Sequence, residues 1–238
     1  MSFIKQKIWA GFFAPLFVLG LVFQLAGCGD NEPQQRKAFS EFLQTQVIDS
    51  AKIHLPALTD EQKKSFGNYT ADYDLLTGFT DQLNAAFSKS MASSMNELKT
   101  LNSLNAMVEN RSKIETAQAE IQTVQAKLDG VIKSTGEKYA ALKMPEDLKT
   151  VYGQAYAKVV TQQGDLSKQT LTLLDSTFSS ILKVSDFLTQ QKEHIQFNGQ
   201  TLQFKDQNVL NQFNEINRDL QKNQQELMAV ARKIAQLM

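Results

Sequence analysis

The sequence predicts an all-α protein: an elongated antiparallel bundle of long, coiled-coil-like helices with one small β-hairpin near residues 195–204. Three observations predict it. Apolar residues recur at spacings of three and four over long runs. Only three prolines (Pro33, Pro56 and Pro145) follow the first 28 residues. One short segment alternates apolar and polar residues around Asn198-Gly199, a pair that favours a tight hairpin turn.

The elements follow in order. Arg36 to Ile53 forms a helix because Phe39, Phe42, Leu43, Val47 and Ile48 share one stripe, and Pro56 ends it. Thr59-Asp60-Glu61-Gln62 is a capping box that opens the next helix. Phe66, Tyr69, Tyr73, Leu76, Leu83 and Phe87 continue its apolar face, and neither Gly67 nor Gly78 is expected to stop it. Phe79 to Asp129 contains no glycine or proline. A first phase ending at Leu98, Leu101, Leu104 and Val108 gives way to Ile114, Ala117, Ile121, Val124, Leu128 and Val131. The phase change near Asn110-Arg111-Ser112 is either a tight turn, with Ser112 and Glu115 as a capping box, or a stutter within one helix; the turn is favoured.

Pro145 breaks the chain and starts a helix reaching about Glu193. Asp206 caps the last helix. There Val209, Phe213, Ile216, Leu220, Asn223, Leu227, Val230, Ile234 and Leu237 hold alternating heptad positions. The favoured partner of this face is the protein's own bundle, with self-association through the 209–237 heptads as the other choice. In the hairpin, a type I′ turn at Asn198-Gly199 would set Phe197 opposite Gln200 and Ile195 opposite Leu202. Ile195, Phe197, Leu202 and Phe204 then share one face, which either caps the bundle's end or docks a partner.

The balance of 25 basic and 25 acidic residues excludes the basic footprint of a nucleic-acid binder. It also averages two unlike parts. Lys5 and Lys7 precede sixteen residues without a polar side chain, Ile8 to Phe23, and Leu25-Ala26-Gly27-Cys28 follows. A basic start, an apolar run and small residues before a cut form a secretory signal. Leu25, Ala26, Gly27 and Cys28 resemble the lipobox of bacterial lipoproteins. That resemblance implies a signal peptide over 1–27, cleavage after Gly27, and acylation of Cys28, with palmitate among the usual chains.

An uncleaved membrane anchor is the competing account. Sixteen helical residues reach only ~24 Å of a ~30 Å hydrocarbon core. Residues 28–35 would be a lipidated tether, and 36–238 a single helical domain. Gly29, where an aspartate would favour inner-membrane retention, leaves inner against outer membrane open.

Without Lys5 and Lys7, 23 basic residues face 25 acidic ones, and of twenty-six glutamines the twenty-four beyond residue 27 help cover the outer faces. No nucleophile elbow, zinc-protease helix, phosphate-binding loop or Cys-x-x-Cys pair occurs. His54 and His194 lie far apart in sequence and suit helix ends. Met91 and Met95 make at most a weak soft-metal pair. Asp72/Asp74 and Asp60/Glu61 suit solvated faces, and Tyr152 and Tyr156 beside Gly153 suit close packing. No catalytic residue, metal site or cofactor beyond the lipid on Cys28 is expected.

The runs LAGCGDNEPQQRKAFSEFLQT (25–45) and IHLPALTD (53–60) resemble the YiaF-like family of uncharacterised enterobacterial lipoproteins. The resemblance implies an anchored envelope protein and brings no catalytic residue, cofactor or partner. The expectation is a non-enzymatic binding or scaffolding lipoprotein facing the periplasm. It would be held on the bilayer through acylated Cys28, and the candidate docking hairpin would serve an envelope protein partner. The alternative is a carrier of an apolar ligand in a cleft between helices.

Overall fold

The computed structural model describes residues 31–198 and 201–237, with backbone alone at 88–91, 95 and 198. The unit from Glu32 onward is an all-α bundle with one two-stranded sheet. Its elements are α1 (Glu32–Phe42), continued by a π-helical stretch Leu43–Ile48, then α2 (Asp60–Phe66), α3 (Tyr69–Thr100), α4 (Leu104–Glu109) and α5 (Arg111–Ala141). Next come α6 (Glu146–Tyr156), a second π-helical stretch Ala157–Thr161, and α7 (Gln162–Gln190). The strands β1 (Ile195–Asn198) and β2 (Thr201–Phe204) and the last helix, α8 (Gln207–Leu237), complete it. Among the described residues no helix is long and apolar enough to cross a membrane.

Residue pairs fix the directions. α6, the π stretch and α7 run on as one helical path. α1 lies parallel to its first part, with Arg36 Nη1 3.4 Å from Asp147 Oδ1 and the rings of Phe39 and Tyr152 6.4 Å apart. α5 runs antiparallel to the same path. Arg111 Nε meets Asp186 Oδ1 at 2.6 Å, Lys168 Nζ meets Asp129 Oδ1 at 2.7 Å, and Tyr139 stacks on Tyr156 at 4.1 Å. α3 packs along α5. α8 returns antiparallel to α7, with Phe187 and Phe213 rings 6.1 Å apart. Its last carbonyl, on Leu237, accepts from Ile53 N at 2.7 Å. α1 and α8 therefore occupy successive stretches beside one long helix.

The predicted apolar stripes form one core. Phe39, Leu43, Leu76, Ile114, Ile121, Leu128, Leu174 and Phe178 are fully or almost fully buried. The capping box at Thr59 forms: Thr59 N donates to Gln62 Oε1 at 2.9 Å, and Gln62 N to Thr59 Oγ1 at 3.2 Å. Pro145 sits at the cap of α6 as expected. The heptad face of α8 lies against α7. There Asn223 Nδ2 donates to Ser176 O at 3.1 Å and to Ser180 Oγ at 3.0 Å, so the polar heptad position is satisfied inside the bundle.

Four expectations are corrected. The first helix starts at Glu32 and stops at Ile48, short of Ile53. Pro33 is tolerated in a first turn, and the Lys158 ammonium closes the far end by donating to the carbonyls of Ile48, at 3.0 Å, and Ser50. Gly67 does stop a helix. It ends α2 with φ +54°, and a Cβ there would stand 2.4 Å from the Gln35 side chain. A break does fall near residue 110, at Asn110 between α4 and α5, but an unexpected one precedes it at 101–103, where Ser103 takes an extended conformation and its Oγ accepts from Ala106 N at 3.1 Å. At 110 only a short corner remains, and the Ser112/Glu115 capping box does not form. Glu115 bonds Arg111 at 2.6 Å instead.

The fourth correction is the hairpin register. Ile195 pairs with Phe204, Phe197 with Leu202 and Asn198 with Thr201, a pairing shifted by two from the one expected around Asn198-Gly199. A shift of two keeps every side chain on its predicted face, because strand side chains alternate with period two. It also sets apolar residues opposite one another where the expected register put Phe197 opposite Gln200. Gly199 and Gln200 lie outside the described residues.

Candidate functional site

The hairpin is built onto the bundle by its neighbours. After α7, His194 N donates to Gln191 O at 2.8 Å, and Lys205 N extends the ladder to His194 O at 2.9 Å. Lys205 Nζ donates to Glu193 O at 2.9 Å. α8 follows with Asp206 Oδ1 accepting from Asn208 N at 2.6 Å. These bonds hold the strands at the end of α7 and α8.

The four predicted residues then divide. Ile195 is buried, Leu202 and Phe204 are half-buried, and the Phe204 ring lies 5.2 Å from that of Phe213. Phe197 stays 42% exposed. Three of the four thus seat the hairpin, and one presents an aromatic face outward. Among the described residues only Phe197 and Met228 are large exposed hydrophobics, so no apolar stripe runs along the helices.

Leu25, Ala26, Gly27 and Cys28 lie outside the described residues, as do the side chains of Met91 and Met95. His54 is exposed beside Ile53, at the C-terminal end of α8, and His194 is exposed at the hairpin beyond its N-terminal end, so they do not converge. Among the described residues no group of three or more His, Cys, Asp or Glu side chains could hold a metal. Asp60 and Glu61 are exposed in the first turn of α2, where the backbone and Thr59 hold the Glu61 carboxyl low. Asp74 is exposed and Asp72 half-buried, with burial raising the Asp72 carboxyl.

Two surface grooves are polar. One, about 280 Å³, runs between α7 and α8 beside Ser176, Ser180, Lys183, Asp219, Lys222 and Asn223. The other, about 170 Å³, lies between α3 and α5 beside Ser93, Glu97, Lys113 and Glu120. Neither has the apolar lining that a carrier of an apolar ligand needs.

An aromatic column stands at the opposite end from the hairpin. Phe39 stacks on Tyr69 at 5.7 Å, Phe42 meets Tyr73 edge-on at 5.4 Å, and Tyr152 stacks on Tyr139 at 5.9 Å. The hydroxyls donate inward: Tyr73 to Pro56 O at 2.7 Å, Tyr152 to Asp72 O at 2.6 Å, and Tyr69 to Glu32. Burial pushes the Tyr73 and Tyr152 hydroxyls well above the ordinary range, and burial with Glu32 beside it pushes Tyr69 up to about 12. Such hydroxyls stay protonated and act as structural donors. The spacing of Tyr152, Gly153 and Tyr156 was the available signal, since a Cβ on Gly153 would meet Tyr139 Oη at 3.2 Å.

A family model described as "Protein of unknown function (DUF3053)" matches residues 16–235. The "Uncharacterized protein YiaF" of Escherichia coli (strain K12) is 30% identical over 210 residues, covering 88% of this chain and 89% of that protein. The protein of the same name from Shigella flexneri matches with the same identity and coverage. No solved structure matches the chain.

Proposed function

We propose, from the premise that this chain belongs to the DUF3053 family of proteins of unknown function, that it is a lipid-anchored, periplasm-facing envelope protein that works by binding or scaffolding and not by catalysis. The observation that carries the proposal is Leu25-Ala26-Gly27-Cys28, one residue past a sixteen-residue apolar run that follows a basic start. Acylation there gives the lone cysteine of an exported chain a chemical role. Two or more acyl chains anchor stably, where one binds only marginally.

Support for binding comes from the surface. Among the described residues the buried tyrosine hydroxyls are held protonated and the two histidines stand at opposite ends of α8, so neither set is arranged as a nucleophile with a base beside it. The hairpin offers an exposed aromatic, Phe197, on a seated platform. Aromatic anchors on rigid supports are what protein interfaces favour.

Replacing Cys28 with Ser should leave an unprocessed precursor in the producing cell; normal cutting of that variant would end the lipoprotein proposal. A photo-crosslinking residue at position 197 should form a discrete protein adduct in intact cells. The same probe at exposed Glu61 should not, and equal adducts at both positions would remove the hairpin from the proposal.

A further inference from the structure

We infer that the anchored domain stands on its α1 end, with the α2–α3 and α5–α6 junctions facing the phospholipid headgroups and the hairpin held about 65 Å away along the bundle. This rests on the lipid anchor proposed at Cys28. Only residues 29–31 separate Cys28 from the first turn of α1. Even fully extended, the four steps from Cys28 to Glu32 cover about 14 Å. The end of the domain that holds Glu32 therefore stays at the headgroup layer.

The residues around Glu32 define that end. The Tyr69 hydroxyl donates to Glu32, which brings the start of α3 beside the start of α1. Gln35 packs at Gly67, the end of α2. Arg36 reaches Asp147 in the first turn of α6, and Pro145 and Lys143 precede it in the junction with α5. From Glu146 to Gln190 the chain is helical over 45 residues, about 65 Å at 1.5 Å per residue. The hairpin follows at its far end. A second route agrees: α1 with its π stretch, then α8, placed end to end by the bond from Ile53 N to Leu237 O, carry the chain over a comparable length.

Standing is favoured over lying down because the long sides offer a bilayer little. An interfacial helix needs a continuous apolar face or a basic one. Among the described residues the sides expose one large hydrophobic, Met228. The signs of the ionisable residues balance along the chain.

The test uses the full chain, lipidated in the producing cell and reconstituted into phosphatidylethanolamine/phosphatidylglycerol vesicles. With the Cys28 sulfur carrying lipid, an introduced cysteine is the one free thiol. Fluorophores are placed on Lys143→Cys at the α5–α6 junction and on Gln203→Cys in β2, both exposed positions. Acceptor dye on the lipid headgroups should remove most emission from position 143 and little from position 203. Equal quenching at both positions, or stronger quenching at 203, in protein that floats with the vesicles would overturn the orientation alone. Protein that fails to float and lacks acyl mass would overturn the anchor, and the orientation with it.

Discussion

Single residues settle where helices end. At Gly67 the backbone adopts φ +54°, and the space a side chain needs is filled by Gln35. Gly67→Ala should therefore lower the unfolding free energy by about 1–3 kcal/mol in urea titration, and an unchanged midpoint would contradict the strain. Lys158 donates to two carbonyls at the end of the first helix. Lys158→Met should cost about 1–2 kcal/mol while keeping the packing of the aliphatic stem.

The tyrosines make a pH prediction. Because the folded state raises their pKa, the stability they give is fully present below the unfolded value of about 10 and is lost as pH rises through the folded value. For Tyr69 the loss spans pH 10 to about 12. The urea midpoint should hold level through neutral pH and fall across that window, and Tyr69→Phe should soften the fall. Residue types alone showed the glycine and the tyrosines. They did not show that Gly67 meets Gln35 or that Lys158 reaches Ile48, because those contacts join segments far apart in sequence.

At the scale of elements, periodicity located almost every helix face, since burial in a bundle imposes the same three-and-four spacing that was read from the chain. Two features were less legible. The turn at 101–103 contains neither glycine nor proline; a serine cap and the antiparallel return of α5 make it, so its signal was Ser103 alone. Ser103→Ala should cost about 1 kcal/mol by loss of that cap, measured by thermal or urea unfolding. The hairpin's faces were legible and its register was not, because a two-residue slip leaves the alternation intact. Backbone proton contacts in nuclear magnetic resonance should place Phe197 directly opposite Leu202; finding Ile195 in that place would restore the register that Asn198-Gly199 suggests.

Over the whole molecule, the long path through α6 and α7 is the spine on which α1, α5 and α8 pack. Satisfaction of Asn223 by Ser176 and Ser180 explains why a polar heptad position is tolerated within one chain, with no second copy needed to pair it. The candidate site was half legible: the four hairpin residues were named from alternation, but which of them would stay exposed depended on where Phe213 and the end of α7 lie. The function proposed rests on the first 28 residues more than on any feature of the bundle. Its most direct test is the intact mass of the protein extracted from membranes of a lipoprotein-processing bacterium. The expected species is a chain beginning at Cys28 with a diacylglyceryl group and a further acyl chain attached. A chain beginning at Met1, or one beginning at Cys28 without lipid, would contradict it.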